Sequence, residues 1–236
     1  NPCNPIILST MTRQFDLIAF DWDGTLFDST AIIVRSIQQA VVDVGGKKPT
    51  DAAASFVIGL GLMQALATAA PDVPPEKYPE LGDRYRHHYF GHQHDITLFD
   101  GVETMLHDLK ERGIILTVAT GKSYRGLEEA LRISGLGRLF DATRTAERTA
   151  GKPHPQMLHE LMAEFDLPPQ RVLMVGDTTH DLQMAVNAGC TSVGVSYGAH
   201  DSAIFAPLNP LFVAHSVPEL HRFLLTTVSS PSSPAP

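Results

Sequence analysis

The sequence predicts an α/β protein: a doubly wound parallel sheet in a Rossmann-like core, with a small helical cap domain inserted after the first strand. Three observations predict it. Short, largely apolar runs recur at 15–20, 114–119, 171–175 and 191–195, a length and composition that suit strands covered on both faces. Between them lie segments with apolar residues at helical spacing, and strands alternating with helices imply right-handed crossovers. From about residue 28 to 98 the pattern is helical, with no convincing buried strand, which reads as an insertion.

The first strand runs from Phe15 and breaks after Phe20 into Asp21-Trp22-Asp23-Gly24. Two close carboxylates repel and resist burial, so something positive must sit between them, and a hard divalent cation is the natural candidate. Asp28, Ser29 and Thr30 are helix-capping types, and Ile33, Ile37, Ala40, Val41 and Val44 follow at helical spacing until Gly45-Gly46. The run Phe56 to Met63, an alanine-rich stretch to Ala70, and a segment punctuated by Pro71, Pro74, Pro75 and Pro79 complete the insertion. Beyond Asp100, Val102, Met105, Leu106 and Leu109 mark a helix ending near Gly113, and the strand 114–119 runs into Thr120-Gly121-Lys122-Ser123. A helix with Leu127, Ala130 and Leu131 leads to Gly135, and Phe140 to Thr143 reads as a shorter strand. Gly151-Lys152-Pro153-His154-Pro155 opens a helix with Met157, Leu158, Leu161, Met162 and Phe165. The strand 171–175 enters Gly176-Asp177-Thr178-Thr179-His180-Asp181; a helix with Leu182, Ala185 and Val186 stops at Gly189, before the strand 191–195.

The expected division is a core of 15–27 and 99–228 and a cap of 28–98. Residues 1–14 are expected to be a disordered or vector-derived tail, with Met11 as the natural start, and the Ser- and Pro-rich 229–236 a disordered tail. With 26 acidic against 18 basic residues and a formal charge of -8, the composition argues against nucleic acid or an anionic membrane as the main partner. Cys3 and Cys190 have no metal-ligand spacing and imply no disulfide framework, so a reducing compartment is expected. No stretch approaches the roughly 20 apolar residues that cross a bilayer. A cytoplasmic location follows as the expectation; oligomeric state is not legible.

In open α/β sheets ligands bind beyond the carboxyl ends of the strands. Asp21 and Asp23, Thr120, and Asp177 with Asp181 all fall at such ends, and Lys152 opens a helix. Singly, each has a plainer role: Thr120 or Asp181 as a helix cap, Lys152 as a solvated loop cation. Jointly they are an inventory for phosphoryl chemistry with a magnesium ion: a carboxylate nucleophile, a second carboxylate, a hydroxyl, an ammonium and a further acidic pair.

In order and spacing, Asp21-Trp-Asp-Gly-Thr-Leu-Phe-Asp28, Thr120, Lys152 and Gly176-Asp177 through Asp181 resemble the four motifs of the haloacid dehalogenase-like hydrolases. The resemblance spans roughly residues 15 to 225. The helical region after the first motif resembles the cap of phosphoglycolate phosphatases and their relatives. By this resemblance Asp21 attacks phosphorus to form an aspartyl-phosphate, and Asp23 protonates the leaving oxygen and then activates water. Thr120, Gly121 and Lys152 hold phosphoryl oxygens. Magnesium sits on the Asp21 carboxylate, the Asp23 main-chain carbonyl and Asp177, with Asp181 behind it or bound through a water. The resemblance implies a small phosphorylated metabolite as substrate, 2-phosphoglycolate first. A haloacid dehalogenase proper and a phosphonoacetaldehyde hydrolase, for which Lys47 and Lys48 could serve, both lack the second carboxylate that Asp23 supplies. A sugar phosphomutase keeps all four motifs and stays open as the alternative. A phosphoaspartate receiver would be shorter and lack the second acidic motif, and a degenerate member serving only as a binding protein is at odds with the presence of all the motif residues.

Other features carry less. His87, His88, His92, His94 and Asp95 read as a solvated face rather than a metal site, and Lys77, Arg84 and Arg86 as surface charge. Gly59-Leu60-Gly61 is no dinucleotide fingerprint; it reads as a cap loop that reaches over the site to select substrate. Trp22 is expected to pack at the domain junction, with hinges at Asp28 to Thr30 and Phe99 to Gly101.

Overall fold

In the computed structural model, which describes residues 14–228, β1 (Leu17–Phe20) carries four fully buried side chains and ends where Asp21 begins. The suggested start at Met11 and the tail 229–236 lie outside the described residues. After β1 come a two-residue strand β2 (Phe27–Asp28), then α1 (Thr30–Asp43), α2 (Asp51–Phe56), α3 (Leu62–Ala69), α4 (Tyr78–Gly91) and β3 (Thr97–Leu98). The remainder alternates: α5 (Val102–Glu111), β4 (Ile115–Thr120), α6 (Tyr124–Ser134), β5 (Ala142–Thr145), α7 (Gln156–Glu164), β6 (Val172–Gly176), α8 (Thr179–Ala188), β7 (Thr191–Val195), β8 (Phe212–Ala214) and α9 (Val217–Thr227).

The main sheet has the order β5-β4-β1-β6-β7-β8, and every pair in it is parallel. The chain is thus an α/β protein with β1 in the interior of a doubly wound sheet. Strand alternation splits β1 between two cores. Ile18 and Phe20 join Leu116, Val118, Leu173 and Val175 beneath α5, α6 and α9, whereas Leu17 and Ala19 join Val172 and Met174 beneath α7 and α8. Full burial of each large apolar side chain contributes roughly 1.5–3 kcal/mol, which is why a sheet covered on both faces has near-continuous apolar strands. A third cluster is built by Ile33, Ile37 and Val41 of α1 with residues of α2, α3 and α4. β2 and β3 pair antiparallel at the root of this helical segment.

Two elements differ from expectation. β5 begins at Ala142, opposite Thr117, two residues later than the predicted strand. Asp141 still donates its N–H to Leu116 O (2.7 Å), but its carboxylate, in place of a backbone carbonyl, accepts the Leu116 N–H (2.9 Å) and also pairs with Lys110. β8 was not expected at all. Only three residues long, it lacks a readable period and exists by pairing with β7 at the sheet edge.

Candidate active site

β1, β4 and β6 are adjacent parallel strands, so the residues after their carboxyl ends meet. Asp21 continues β1 through an Asp21 N–H to Val175 O bond of 2.9 Å and is 1% exposed. Lys152, fully buried, places Nζ 2.5 Å from Asp21 Oδ1 and 2.6 Å from Asp181 Oδ1. This excludes the reading of Lys152 as a solvated loop cation. Burial opposes its charge, but Asp181 and Asp21 more than offset that, and its pKa is raised.

Asp177 and Asp181 are fully buried, and one carboxylate oxygen from each, with one from Asp21, lie within 4.8 Å of one another. Asp181 has both oxygens engaged: Oδ2 accepts from Thr178 N (3.1 Å) and Oγ1 (2.6 Å), and Oδ1 pairs with Lys152. The same contacts complete a capping box on α8, so Asp181 caps the helix and also stands in the site. Asp177 accepts from Thr25 Oγ1 (2.8 Å) and the Ala199 N–H (2.7 Å). A side chain at Gly24 or Gly198 would collide with the Asp177 carboxylate. Asp21 Oδ2, by contrast, is buried with no hydrogen-bond partner among the described residues.

Burial pushes Asp21 up to about 7, against the pull of Lys152, and burial with the neighbouring charges of Asp21 and Asp181 holds Asp177 well above the usual carboxylate range. Three buried carboxylates and one ammonium leave two uncompensated negative charges. A divalent cation would cancel them and give Asp21 Oδ2 a partner, so the donor set fits a hard, oxygen-coordinated metal.

Asp23 faces a different neighbourhood. Its carboxylate accepts from Ser29 Oγ (2.8 Å) and from Lys122 Nζ at 3.1 and 3.0 Å. Ser29, a helix-capping residue by type, makes no side-chain cap on α1 and spends its hydroxyl here instead. Thr120, at the end of β4, is buried, and its Oγ1 accepts the Lys122 N–H at 3.2 Å. It is not a helix cap, since Ser123 caps α6. Gly121 lies against the cap segment: a Cβ there would come within 2.5 Å of the carbonyl oxygens of Gly59 and Leu60. The loop Gly59-Leu60-Gly61 thus lies directly on the Thr120 strand end. Gly59 and Leu60 line a cavity of about 130 Å³ together with Asp21, Asp23, Thr120, Lys122, Tyr85 and Tyr89. A more open groove of about 800 Å³, between α1, α2 and His200, contains none of these carboxylates.

A family model described as haloacid dehalogenase-like hydrolase matches residues 18–195. The chain belongs to this family. A phosphoglycolate phosphatase of Mannheimia succiniciproducens is 30% identical over 224 residues, covering 91% of this chain and 100% of that protein. One of Vibrio vulnificus is 32% identical over 228 residues, covering 92% and 100%. The crystal structure of a predicted phosphoglycolate phosphatase from Haemophilus somnus superposes with a TM-score of 0.78 at 26% identity, covering 90% of this chain and 99% of that one. A hydrolase from Pseudomonas syringae shares the fold with a TM-score of 0.82 at 23% identity, covering 92% and 100%.

The remaining sequence candidates do not join the cluster of Asp21, Asp177 and Asp181, although Arg86 lines the same cavity as Asp21 and Asp23. His88 pairs with Asp43 and His92 and His94 with Asp95; among the described residues, ligand atoms gather only at Asp21, Asp177 and Asp181. Lys77 donates to Val44 O, and Arg86 pairs with Asp83. Trp22 stacks on Phe27 with ring centroids 4.6 Å apart. Sequence reading missed Lys122, whose only signal was its place two residues after Thr120, and it missed Tyr89 and Ser29 as partners of the Asp23 cluster.

Proposed function

We propose that this chain is a cytoplasmic, magnesium-dependent phosphatase that hydrolyses a small phosphorylated metabolite, 2-phosphoglycolate in the first place, through an aspartyl-phosphate on Asp21. The observation that carries the reading is Asp21 itself: a buried carboxylate at a strand end, one oxygen on Lys152 and the other unpartnered beside two more carboxylates. Family membership and the phosphatase relatives point the same way. The location is supported by the acidic composition and by the absence of any helix among the described residues long and apolar enough to cross a membrane.

Asp21 attacks phosphorus while the ester P–O bond breaks, and the leaving oxygen takes a proton from Asp23. Asp23, now ionised, removes a proton from water; the water oxygen attacks phosphorus, the bond to Asp21 breaks, and phosphate leaves with the carboxylate restored. Thr120, the Gly121 backbone and Lys152 hold the phosphoryl oxygens, with Lys152 also offsetting the charge around the nucleophile. Magnesium would be held by Asp21, the Asp23 main-chain carbonyl and Asp177, and when bound it supplies positive charge to the transferring group. Residues 28–98 act as a cap, hinged at 28–30 and 99–101, that excludes water not used in the reaction. The cavity is small beside the roughly 300–1,000 Å³ of sites for drug-sized ligands, which suits a compact metabolite.

The test is phosphate release across 2-phosphoglycolate, sugar phosphates and nucleotides, with magnesium and with a chelator. Chelator-sensitive release concentrated on one small ester is expected. Isomerisation of a sugar phosphate without release would replace the reading with a phosphomutase.

A further inference from the structure

Lys122 is a largely buried cation that the proposed chemistry leaves without a task. Its side chain is 10% exposed, pairs with both oxygens of Asp23, and donates to Tyr89 Oη at 2.8 Å, with the ammonium 4.8 Å from the Tyr89 ring centroid. It therefore ties the core, through Asp23, to α4 of the cap, through Tyr89. It also lines the 130 Å³ cavity, whose remaining walls are mostly apolar: Ile33, Ile37, Val57, Leu66 and others.

We propose that Lys122, held by Tyr89, is the specificity-determining residue that binds the carboxylate of a small phosphorylated carboxylic acid; the inference rests on the phosphatase reading above. The geometry follows from Asp23. If Asp23 serves the leaving oxygen, a group within hydrogen-bond distance of Asp23 lies one short step beyond that oxygen. In a 2-phospho carboxylic acid the carboxylate stands one carbon beyond the same oxygen. Lys122 is the cation at that place. Lys152 stands on the Asp21 and Asp181 side, where it serves the phosphoryl group, and does not line the cavity, while Arg86, with a side chain 51% exposed, points its pairing toward Asp83 at the rim. Asp23 also accepts from Ser29, so Lys122 can turn one of its N–H groups to a substrate anion without leaving Asp23 unpartnered. A neutral leaving group would place an apolar or hydroxyl group against this buried ammonium and gain nothing from it. A second anion gains a charge-assisted hydrogen bond among mostly apolar walls.

The test compares kcat/KM for 2-phosphoglycolate and ethyl phosphate, which carries a methyl group in place of the carboxylate, using the full chain with magnesium. Wild-type protein is expected to prefer 2-phosphoglycolate, and K122M to reduce that preference by about tenfold to a hundredfold, mainly through KM. Loss of the Asp23 contact lowers both rates alike, so the ratio isolates recognition. K122R should keep most of the preference, and Y89F, which leaves the Lys122–Asp23 pair in place, should lose part of it. An unchanged ratio in K122M overturns the proposal; if K122M is inactive, an unchanged ratio in Y89F does so. Wild-type protein that hydrolyses both esters without preference also overturns it and leaves the phosphatase standing. Release of phosphate from neither ester overturns the phosphatase reading itself.

Discussion

Lys152 and Lys122 each neutralise one member of the Asp21–Asp23 pair, but they stand on different ground. Lys152 is fully buried and held entirely by core residues, between Asp21 and Asp181. Lys122 shares its ammonium between the core, at Asp23, and Tyr89 on a cap helix. The first arrangement does not depend on where the cap lies; the second does. In physical terms, the environment of Asp21 is built into the sheet, and that of Asp23 is completed by a segment that brings its own apolar cluster.

Substitutions can break this contrast at either end. The largest effect is expected at Asp21→Asn, which removes the proposed nucleophile at nearly constant volume: phosphate release should fall by at least about 10⁴-fold, with circular dichroism and the unfolding midpoint little changed. Substantial remaining turnover would sink the mechanism. Lys152→Met leaves Asp21 and Asp181 buried without their cation, and urea titration should show a loss of about 3–5 kcal/mol together with loss of activity. If Lys122→Met cost as much stability as Lys152→Met, the contrast between the two lysines would fail.

Gly121→Ala acts on the contact between cap and core. Its Cβ would meet the carbonyl oxygens of Gly59 and Leu60 at 2.5 Å, so the cap loop must shift. We expect kcat/KM to drop about tenfold and stability by roughly 1–3 kcal/mol, the usual range for overpacking. Wild-type kinetics would show that the loop tolerates displacement.

The smallest effect concerns pH. His180 and His200 both hold the Phe56 carbonyl oxygen, at 2.8 and 3.0 Å, and burial lowers the pKa of each. Above their ordinary value near 6.5 both are neutral folded or unfolded. Below it the unfolded chain takes up protons first, so stability should fall as pH drops from about 6.5 through the lowered folded values. The thermal midpoint should decline over this window less steeply in H180Q/H200Q than in wild type. Equal slopes would show that the two rings contribute nothing to the acid sensitivity.

Much of this was legible in the sequence because it rests on local signals. Apolar runs of strand length, each ending in Asp21, Thr120 or Asp177, were enough to place the buried strands and to put these side chains at one edge of the sheet. Parallel pairing then does the rest, since adjacent strands must bring their ends together. Lys152 was legible by the Gly151-Lys152-Pro153 context, although nothing local shows that it is fully buried. The edge strand β8 was not legible, since three residues make no period and only pairing with β7 creates the strand.

The partners of Asp23 were decided by tertiary structure alone. Ser29 looks like a helix cap in sequence, Tyr89 like part of a histidine-rich face, and Lys122 like a loop lysine; they meet because α1, α4 and the end of β4 converge on one cavity. The sequence by itself determined which polar residues stand at the strand ends, because strand ends are set by short-range patterns of burial. Which residues surround that chemistry was left to the packing of a helical segment on the sheet, a long-range outcome in which charge and hydroxyl partners are chosen by distance in space and not along the chain.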